Sequence, residues 1–312
     1  MQIFNAKQTA ELLPYPHLIA QLSAQFRAGL KAPDRHHHDL PMQHEANGTL
    51  LLMPAWNNDI GCIKIVTVTP GNSARSLPAI AGNVLIFRRD TGAHVALLDG
   101  AVLTARRTAA ASALAADKLA RKDARHLLIL GAGKVAQQLP DAFAAVRPID
   151  QISIWNNHPD GAEALAASLR QQGKNATAVH DLQDAVSRAD IITAATLAQQ
   201  PLIKGEWLQP GQHLDLIGAF TPTMREADDQ ALQRSSIYID TAFACQEAGE
   251  LKIPLVSGAI SQNDICGDLY SLTANPTSAR RSSEEITLFK SVGNAVMDLS
   301  AALTAINNGG DI

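Results

Sequence analysis

Cysteine is nearly missing from this 312-residue chain: Cys62, Cys245 and Cys266 are the whole set, and they lie far apart. Such a set builds no disulfide framework and fits no zinc-ribbon spacing, so a reducing, cytoplasmic setting is expected. Aromatic residues make up only 4%, and the abundant alanines favour close packing of helices on a sheet. Charge is nearly balanced, with 26 Lys and Arg against 30 Asp and Glu and no basic run. That excludes a general nucleic-acid binder. No apolar run is long enough to span a bilayer, and the opening "MQIFNAKQTAELL" has no apolar core of a signal peptide. The Walker phosphate loop and the G-x-S-x-G nucleophile elbow are both absent. One run, His36-His37-His38, invites a metal. No second cluster completes a site, and neighbours on an extended segment point alternately away from each other. No metal is therefore expected. A loop facing a small substrate, with Arg35 as partner for a carboxylate, is the expected role.

What is present is clearest at "HLLILGAGKVAQQL", from His126. Four apolar residues run into Gly131-Ala132-Gly133, and an apolar-periodic segment follows. The order is strand, tight turn, helix, with Ala136 as the third small residue of a dinucleotide fingerprint. Glycines there allow the turn and let backbone approach a pyrophosphate at a helix N-terminus. A tight turn in some other α/β sheet would give the same three residues. Short apolar runs at 126–130, 151–155, 176–179, 190–195, 212–217 and 236–240 alternate with helical segments, as a sheet covered on both faces requires. One helical segment ends at Gly173, and another opens on Asp181 as N-cap. The fold class is therefore α/β: a Rossmann doubly wound parallel sheet, spanning 123–283. The first 122 residues read as α+β, with strands in "GTLLLMPAW", "IGCIKIVTVTPGN" and "NVLIFRRDTGAHVALLDG", a turn at "RDTG", and a helix in "TARRTAAASALAADKLA". "SSEEITLFKSVGNAVMDLSAALTAI" reads as one C-terminal helix capped by Ser282 or Ser283. With it, residues 284–312 are expected to return to the first domain.

Three groups of residues bear on chemistry. The second strand of a Rossmann sheet ends on the residue that chooses the cofactor, and an acid there holds the ribose of NAD. Here the place reads Trp155-Asn156-Asn157-His158, with neither an acid to repel a 2′-phosphate nor an arginine to clasp one. NADPH is favoured modestly, with NADH possible; Asp160 is a rival acid but suits capping of the helix at Gly161 or Ala162. Arg106 and Arg107, near the start of an alanine-rich helix, oppose its dipole and make sense if an anion lies against them. Two solvated arginines are the plain alternative. Lys64 shares a strand face with Cys62 and Val66 and either reaches a polar cavity or guards a sheet edge.

Together "LLLMPAW", "IKIVTVTPGN", "ALLDGAVLTARRTAAASALAA", "LLILGAGKVA", "ITAAT" and "EEITLFKSVGNAVMDL" resemble the ornithine cyclodeaminase/mu-crystallin family, in order and over nearly the whole chain. The resemblance implies a dimerising substrate domain, joined by the C-terminal helix, and a homodimer. It implies that Lys64 and Arg107 are catalytic and face the substrate carboxylate, with Arg35 and His44 also at the substrate. Cofactor contacts would come from Thr108, Gly131, Gly133, Lys134, Val135, Ala136, Asn156, Asn157, His158, Thr196, Gly218, Phe220 and Ser291. Two departures matter. Val135 stands where the family usually has Gln. In "GAFTPTMREAD", Phe220 and Met224 stand where the cyclodeaminases have the catalytic Asp and a Lys. Phenylalanine cannot take a proton. The chain therefore resembles the family's ketimine reductase branch. Implied is reduction of a cyclic imino acid, Δ1-pyrroline-2-carboxylate to L-proline or Δ1-piperideine-2-carboxylate to L-pipecolate, with Lys64 or His44 as proton relay. A cyclodeaminating lyase using Asp215 or Asp228 instead, and a non-catalytic NADPH-dependent binding protein of mu-crystallin type, are the alternatives. No nucleic-acid or membrane partner is expected.

Overall fold

Alternating apolar residues in the first hundred positions form a mostly antiparallel sheet. Its strands are β1 (Gln2–Phe4), β2 (His36–Leu40), β3 (Gly48–Trp56), β4 (Ile60–Val68), β5 (Ile80–Arg88) and β6 (His94–Asp99), in the order β1-β6-β5-β4-β3-β2. Only the β1–β6 pair is parallel. Register sets Met53, Lys64, Val84 and Leu98 in one row and Ala55, Cys62, Ile86 and Ala96 in the next. All eight are buried. The helices Tyr15–Arg27 and Ala295–Asn308 pack on each other, and the latter lies on β3 and β4. Residues 295–305 of that C-terminal helix are all buried, which explains its lack of a polar face. The computed structural model describes residues 1–43, 45–275, 277 and 279–309.

The second sheet is wholly parallel. Its strands are β7 (His126–Leu130), β8 (Gln151–Trp155), β9 (Ala176–Ala178), β10 (Ile191–Ala194), β11 (His213–Leu216), β12 (Ser236–Ile239), β13 (Ile265–Asp268) and β14 (Thr287–Lys290). They run in the order β13-β12-β14-β11-β10-β7-β8-β9. After β7 the chain builds outward through β8 and β9, then crosses back to place β10 on the other side of β7. Strand order therefore reverses between β7 and β10, and ligands of such sheets bind beyond the strand ends at that point. Leu128, Leu130, Ile192, Leu214, Leu216, Ile237 and Leu288 share one core on this sheet.

The sheets belong to two compact units: Met1–Arg107 with the segment from Asn294, and Thr108–Gly293. The first junction falls inside helix Gly100–Leu119 rather than at its end, and the second lies between Gly293 and Asn294 rather than before 284. The second shift has a plain cause. "SSEEITLFKSVGNAV" is not one helix: Thr287–Lys290 is a strand buried on both faces, Gly293 turns at φ 75°, and Asn294 caps a helix starting at Ala295. Its β-branched and aromatic residues fill a central strand position, which outweighs the helix-start signal of the serines and acids.

Three smaller expectations are corrected. The segment after the fingerprint is a 3-10 turn, Ala136–Gln138, followed by the short helix Leu139–Ala144. Pro140 lacks the N–H that would carry an α-ladder through. Asp160 sits inside the first turn of helix Pro159–Gln171, whose N-cap is His158. Helix Gly100–Leu119 begins earlier than expected, with Asp99 accepting from Val102 N at 2.8 Å. Arg106 and Arg107 therefore lie beyond the first turn, where the dipole argument loses force. Gly173 (φ 80°) and Asp181, accepting from Asp184 N at 3.0 Å, stand where the sequence placed them.

Candidate active site

In the first unit, β4 carries Lys64 into the sheet's buried face. This strand lies between β3 and β5, so Lys64 guards no edge. Opposite it stands Asp298 on the C-terminal helix. Lys64 Nζ lies 3.0 Å from Asp298 Oδ1 and 2.8 Å from Oδ2, and Arg107 Nε donates to Oδ1 at 3.0 Å. Exposures of 3%, 6% and 0% for Lys64, Arg107 and Asp298 put the trio out of water. Burial pulls Lys64 down to about 8 against Asp298, which pulls it up, while Arg107 and Arg35 lower it further. Burial also pushes the Asp298 carboxyl up, but the two cations outweigh it and hold it below the usual range. Two cations thus surround one carboxylate, with a third cation, Arg35, close enough to act on Lys64. Such a cluster has positive charge left for an anionic ligand.

The arginine pair splits by role. Arg106 donates Nε and Nη2 to Leu13 O at 3.0 and 2.8 Å and lies 4.3 Å from the Tyr15 ring centroid, so it fastens the chain leading into helix Tyr15–Arg27. Arg107, the next residue, enters the cluster. Cys62 shares the face of Lys64, but burial pushes its thiol up, so it provides no thiolate. His36, His37 and His38 lie in β2, an exposed edge strand rather than the expected loop. No group of three His, Cys, Asp or Glu is gathered for a metal among the described residues. His44 lies outside the described residues.

In the second unit the fingerprint sits at the switch point. Gly131, at φ 105°, donates to Trp155 O at 2.9 Å. A Cβ on it would stand 2.7 Å from Ala195 O, whereas a Cβ on Gly133 would meet nothing within 4 Å. The turn is thus sealed on the protein side and open on the other, the shape a pyrophosphate needs. Lys134 is exposed, Val135 half-buried and Ala136 buried. Beyond β8, Asn156 Nδ2 donates to His158 O at 2.9 Å, and Asn157 and His158 are exposed. The open side of the turn and the exposed polar residues after β8 fit a dinucleotide.

Beyond β10 and β11 lie Thr196, Gly218 and Phe220. A Cβ on Gly218 would stand 2.1 Å from Thr196 O, so only glycine allows these loops to touch. Phe220 is 47% exposed. Ser291, after β14, donates its hydroxyl to Asp240 Oδ2 at 2.8 Å. Thr108 follows Arg107 in the same helix. Three residues escaped the sequence reading: Asp298, Glu226 and Asp240, the acceptor for Ser291. Asp298 fell inside a segment expected to be one long helix from Ser282 or Ser283 and was not singled out. Glu226, in "TMREADD", proves to be wholly buried. Asp298 left a trace, a single acid in the apolar run "AVMDLSAAL", whereas Glu226 left none, because "TMREADD" reads as a charged surface segment.

Comparison with known proteins agrees over the chain's length. The family model described as "Ornithine cyclodeaminase/mu-crystallin family" matches residues 6–309. The Δ1-pyrroline-2-carboxylate reductase of Paracoccus denitrificans is 44% identical over 258 residues, 82% of this chain and 82% of that protein. The Δ1-pyrroline-2-carboxylate reductase of Thermococcus litoralis, solved with NADH and L-proline, superposes with a TM-score of 0.87 at 28% identity, covering 99% of this chain and 97% of that one. An archaeal alanine dehydrogenase dimer with bound NAD gives 0.88 at 26%, covering 99% and 96%. The chain belongs to the ornithine cyclodeaminase/mu-crystallin family.

Proposed function

We propose that this chain is an NAD(P)H-dependent reductase of cyclic imino acids, converting Δ1-pyrroline-2-carboxylate to L-proline and accepting the six-membered analogue to give L-pipecolate. The observation that carries this reading is the buried Lys64–Asp298–Arg107 cluster, whose charge excess suits one carboxylate. The names of the Paracoccus and Thermococcus relatives point the same way. Reduction adds a hydride to the C=N carbon and a proton to nitrogen. A bound reduced nicotinamide supplies the hydride. Lys64 and Arg107 bind the substrate carboxylate and so fix where the imine carbon lies. Such positioning is worth up to roughly 7–11 kcal/mol at best. Lys64, at about 8, holds a proton at neutral pH and can release it near that range, which suits delivery to the imine nitrogen.

NADPH is the preferred cofactor in this reading, with NADH accepted. Asn157 and His158 stand exposed beyond β8 with no acid to repel a 2′-phosphate. The working form is a homodimer. The sheet face opposite Lys64 presents Leu50, Leu52, Ile63, Leu85 and Leu97 half-buried and Ile65 38% exposed. A second copy would cover these residues. The first unit is then the dimerising substrate domain and the second the cofactor domain. No helix among the described residues is long and apolar enough to cross a membrane, and the setting proposed is cytoplasmic.

The lyase alternative loses its acids. Asp215 is wholly buried within the sheet and bound to Thr193 Oγ1 at 2.5 Å, and Asp228 caps a helix by accepting from Ala231 N at 2.9 Å and Gly205 N at 2.8 Å. Purified protein should consume NADPH with Δ1-pyrroline-2-carboxylate, followed by nicotinamide absorbance, and release no ammonia from L-ornithine. Proline and ammonia formed from ornithine would overturn the reductase reading. Binding of both ligands without turnover would favour the binding protein.

A further inference from the structure

In a parallel sheet the loops leaving the strand ends make the ligand site, and something must hold them at a fixed spacing. After β10 and β11 that task falls on one side chain. Glu226 Oε1 accepts from Thr196 N and Thr196 Oγ1, both at 2.8 Å. Its other oxygen, Oε2, accepts from Gly218 N at 2.8 Å and Ala219 N at 3.1 Å. One oxygen serves each loop. The carboxylate is wholly buried, so these donors replace water and the arrangement has no slack.

Glu226 is itself held in place. A second buried carboxylate, Glu250, accepts from Glu226 N at 2.8 Å and Ala227 N at 3.0 Å. Leu202 N and Ile203 N both donate to Glu226 O at 2.9 Å. Lys290, at the end of β14, is wholly buried, and its Nζ has no hydrogen-bond partner among the described residues. Burial raises both glutamates, Glu226 to about 7, and the charge of Lys290 works against that rise and favours their ionised form. A cation stationed without a partner of its own is sensible beside two carboxylates committed to backbone N–H groups.

The location gives the device its purpose. In a doubly wound sheet the fingerprint turn takes the pyrophosphate, and β8 takes the adenosine ribose. The half beyond the switch point, β10 and β11, is left for the nicotinamide. We propose that Glu226 is a positioning residue for the nicotinamide half of the cofactor: it clamps the loops after β10 and β11 at the spacing that half requires. The inference rests on reading this crevice as a dinucleotide site.

Glu226→Gln tests it. The amide keeps the shape but offers one oxygen and one NH2 group, so one loop keeps its acceptor while the other faces a donor. Equilibrium titration would use NADH, followed by fluorescence of the reduced nicotinamide, and ADP-ribose, followed by calorimetry, on the full chain. ADP-ribose lacks the nicotinamide. The variant should bind NADH about tenfold to a hundredfold more weakly, on the scale of one or two lost charge-assisted hydrogen bonds, and bind ADP-ribose like wild type. Unchanged NADH affinity, or equal weakening of both ligands, would overturn the proposal. If Glu226→Gln does not fold, Thr196→Val decides. It removes one donor and should weaken NADH several-fold, about the effect of one hydrogen bond, with ADP-ribose unaffected. An effect on neither ligand or on both alike would overturn the proposal. A wild-type chain that binds neither ligand would sink the dinucleotide reading itself.

Discussion

Asp298→Asn probes the proposed substrate cluster where it is most constrained. The carboxylate stands between two buried cations, Lys64 Nζ at 2.8 and 3.0 Å and Arg107 Nε at 3.0 Å. An amide offers one oxygen to one cation and turns an NH2 group toward the other. Removing one partner from a buried ionic cluster costs about 3–5 kcal/mol, because charge is left uncompensated. Arg107 cannot relieve this by losing its proton, but Lys64 can. It stands at about 8 with Asp298 pulling it up, so without Asp298 it falls lower. The sign follows. A lysine whose folded pKa is depressed binds more protons when unfolded, so stability rises with pH between the folded and unfolded values. In wild type that window opens near 8; in the variant it opens lower. The stability gap should widen by about 1.4 kcal/mol per unit as pH falls below 8, until the variant's own value is reached. Urea unfolding at several pH values measures the gap. In the activity profile, the alkaline loss of kcat/KM should begin near 8 in wild type and move to lower pH in Asp298→Asn. A variant with wild-type stability and an unmoved alkaline limb would refute the ionic account of the cluster.

Three further outcomes are expected. Arg107→Met leaves Lys64 to pair with Asp298, so it should unfold at nearly the wild-type urea concentration while kcat/KM for the cyclic imine falls about a hundredfold, the scale of one or two charge-assisted bonds; a fully active variant would count against Arg107 as carboxylate anchor. Asn157→Asp places a carboxylate where a 2′-phosphate would lie, so the ratio of kcat/KM with NADPH to that with NADH should drop at least about tenfold, and an unchanged ratio would move attention to Asp160. Burial raises Asp215 from 3.8 to about 7, so its contribution to stability is full below 3.8 and is lost as pH rises to about 7, with Glu226 acting in the same sense; Asp215→Asn should flatten that decline by about 4 kcal/mol, and a decline of unchanged steepness would refute it.

The fingerprint and six strands of the parallel sheet were legible because buried strands are short apolar runs between turn residues, a pattern that survives without tertiary knowledge. Lys64 and Arg107 were legible as charges in apolar company. The C-terminal segment was not. Ser282-Ser283-Glu284-Glu285 has the chemistry of a helix start, yet Thr287–Lys290 enters the sheet between β11 and β12. Local propensity yields there to a vacant central position that only the assembled sheet creates. Gly293-Asn294 was the true boundary signal, since Asn294 accepts from Val296 N at 2.9 Å and Met297 N at 3.3 Å.

The residues hidden from the sequence share one physical type. Asp298 takes donors from β4 and helix Gly100–Leu119, Glu226 from the loops after β10 and β11, and Asp240 from Ser291 Oγ, Val292 N and Gly293 N. Each is a carboxylate with 0% exposure. An ionised carboxylate taken out of water needs several donors to replace hydration. It therefore gathers backbone and side chains from segments that are distant in sequence, and fixes them to one point. That property suits a site whose loops and cations must keep their spacing as a ligand enters and leaves. It also leaves no periodicity, because the partners are set by topology rather than by neighbours along the chain. For Asp298 and Asp240 a trace does remain, a single acid inside an apolar run, as in "AVMDLSAAL" and "SIYIDTA"; Glu226, in "TMREADD", leaves none. On a helix or strand covered on every side, such an acid has no water-facing reason to exist, and its donors are the segments that it holds together.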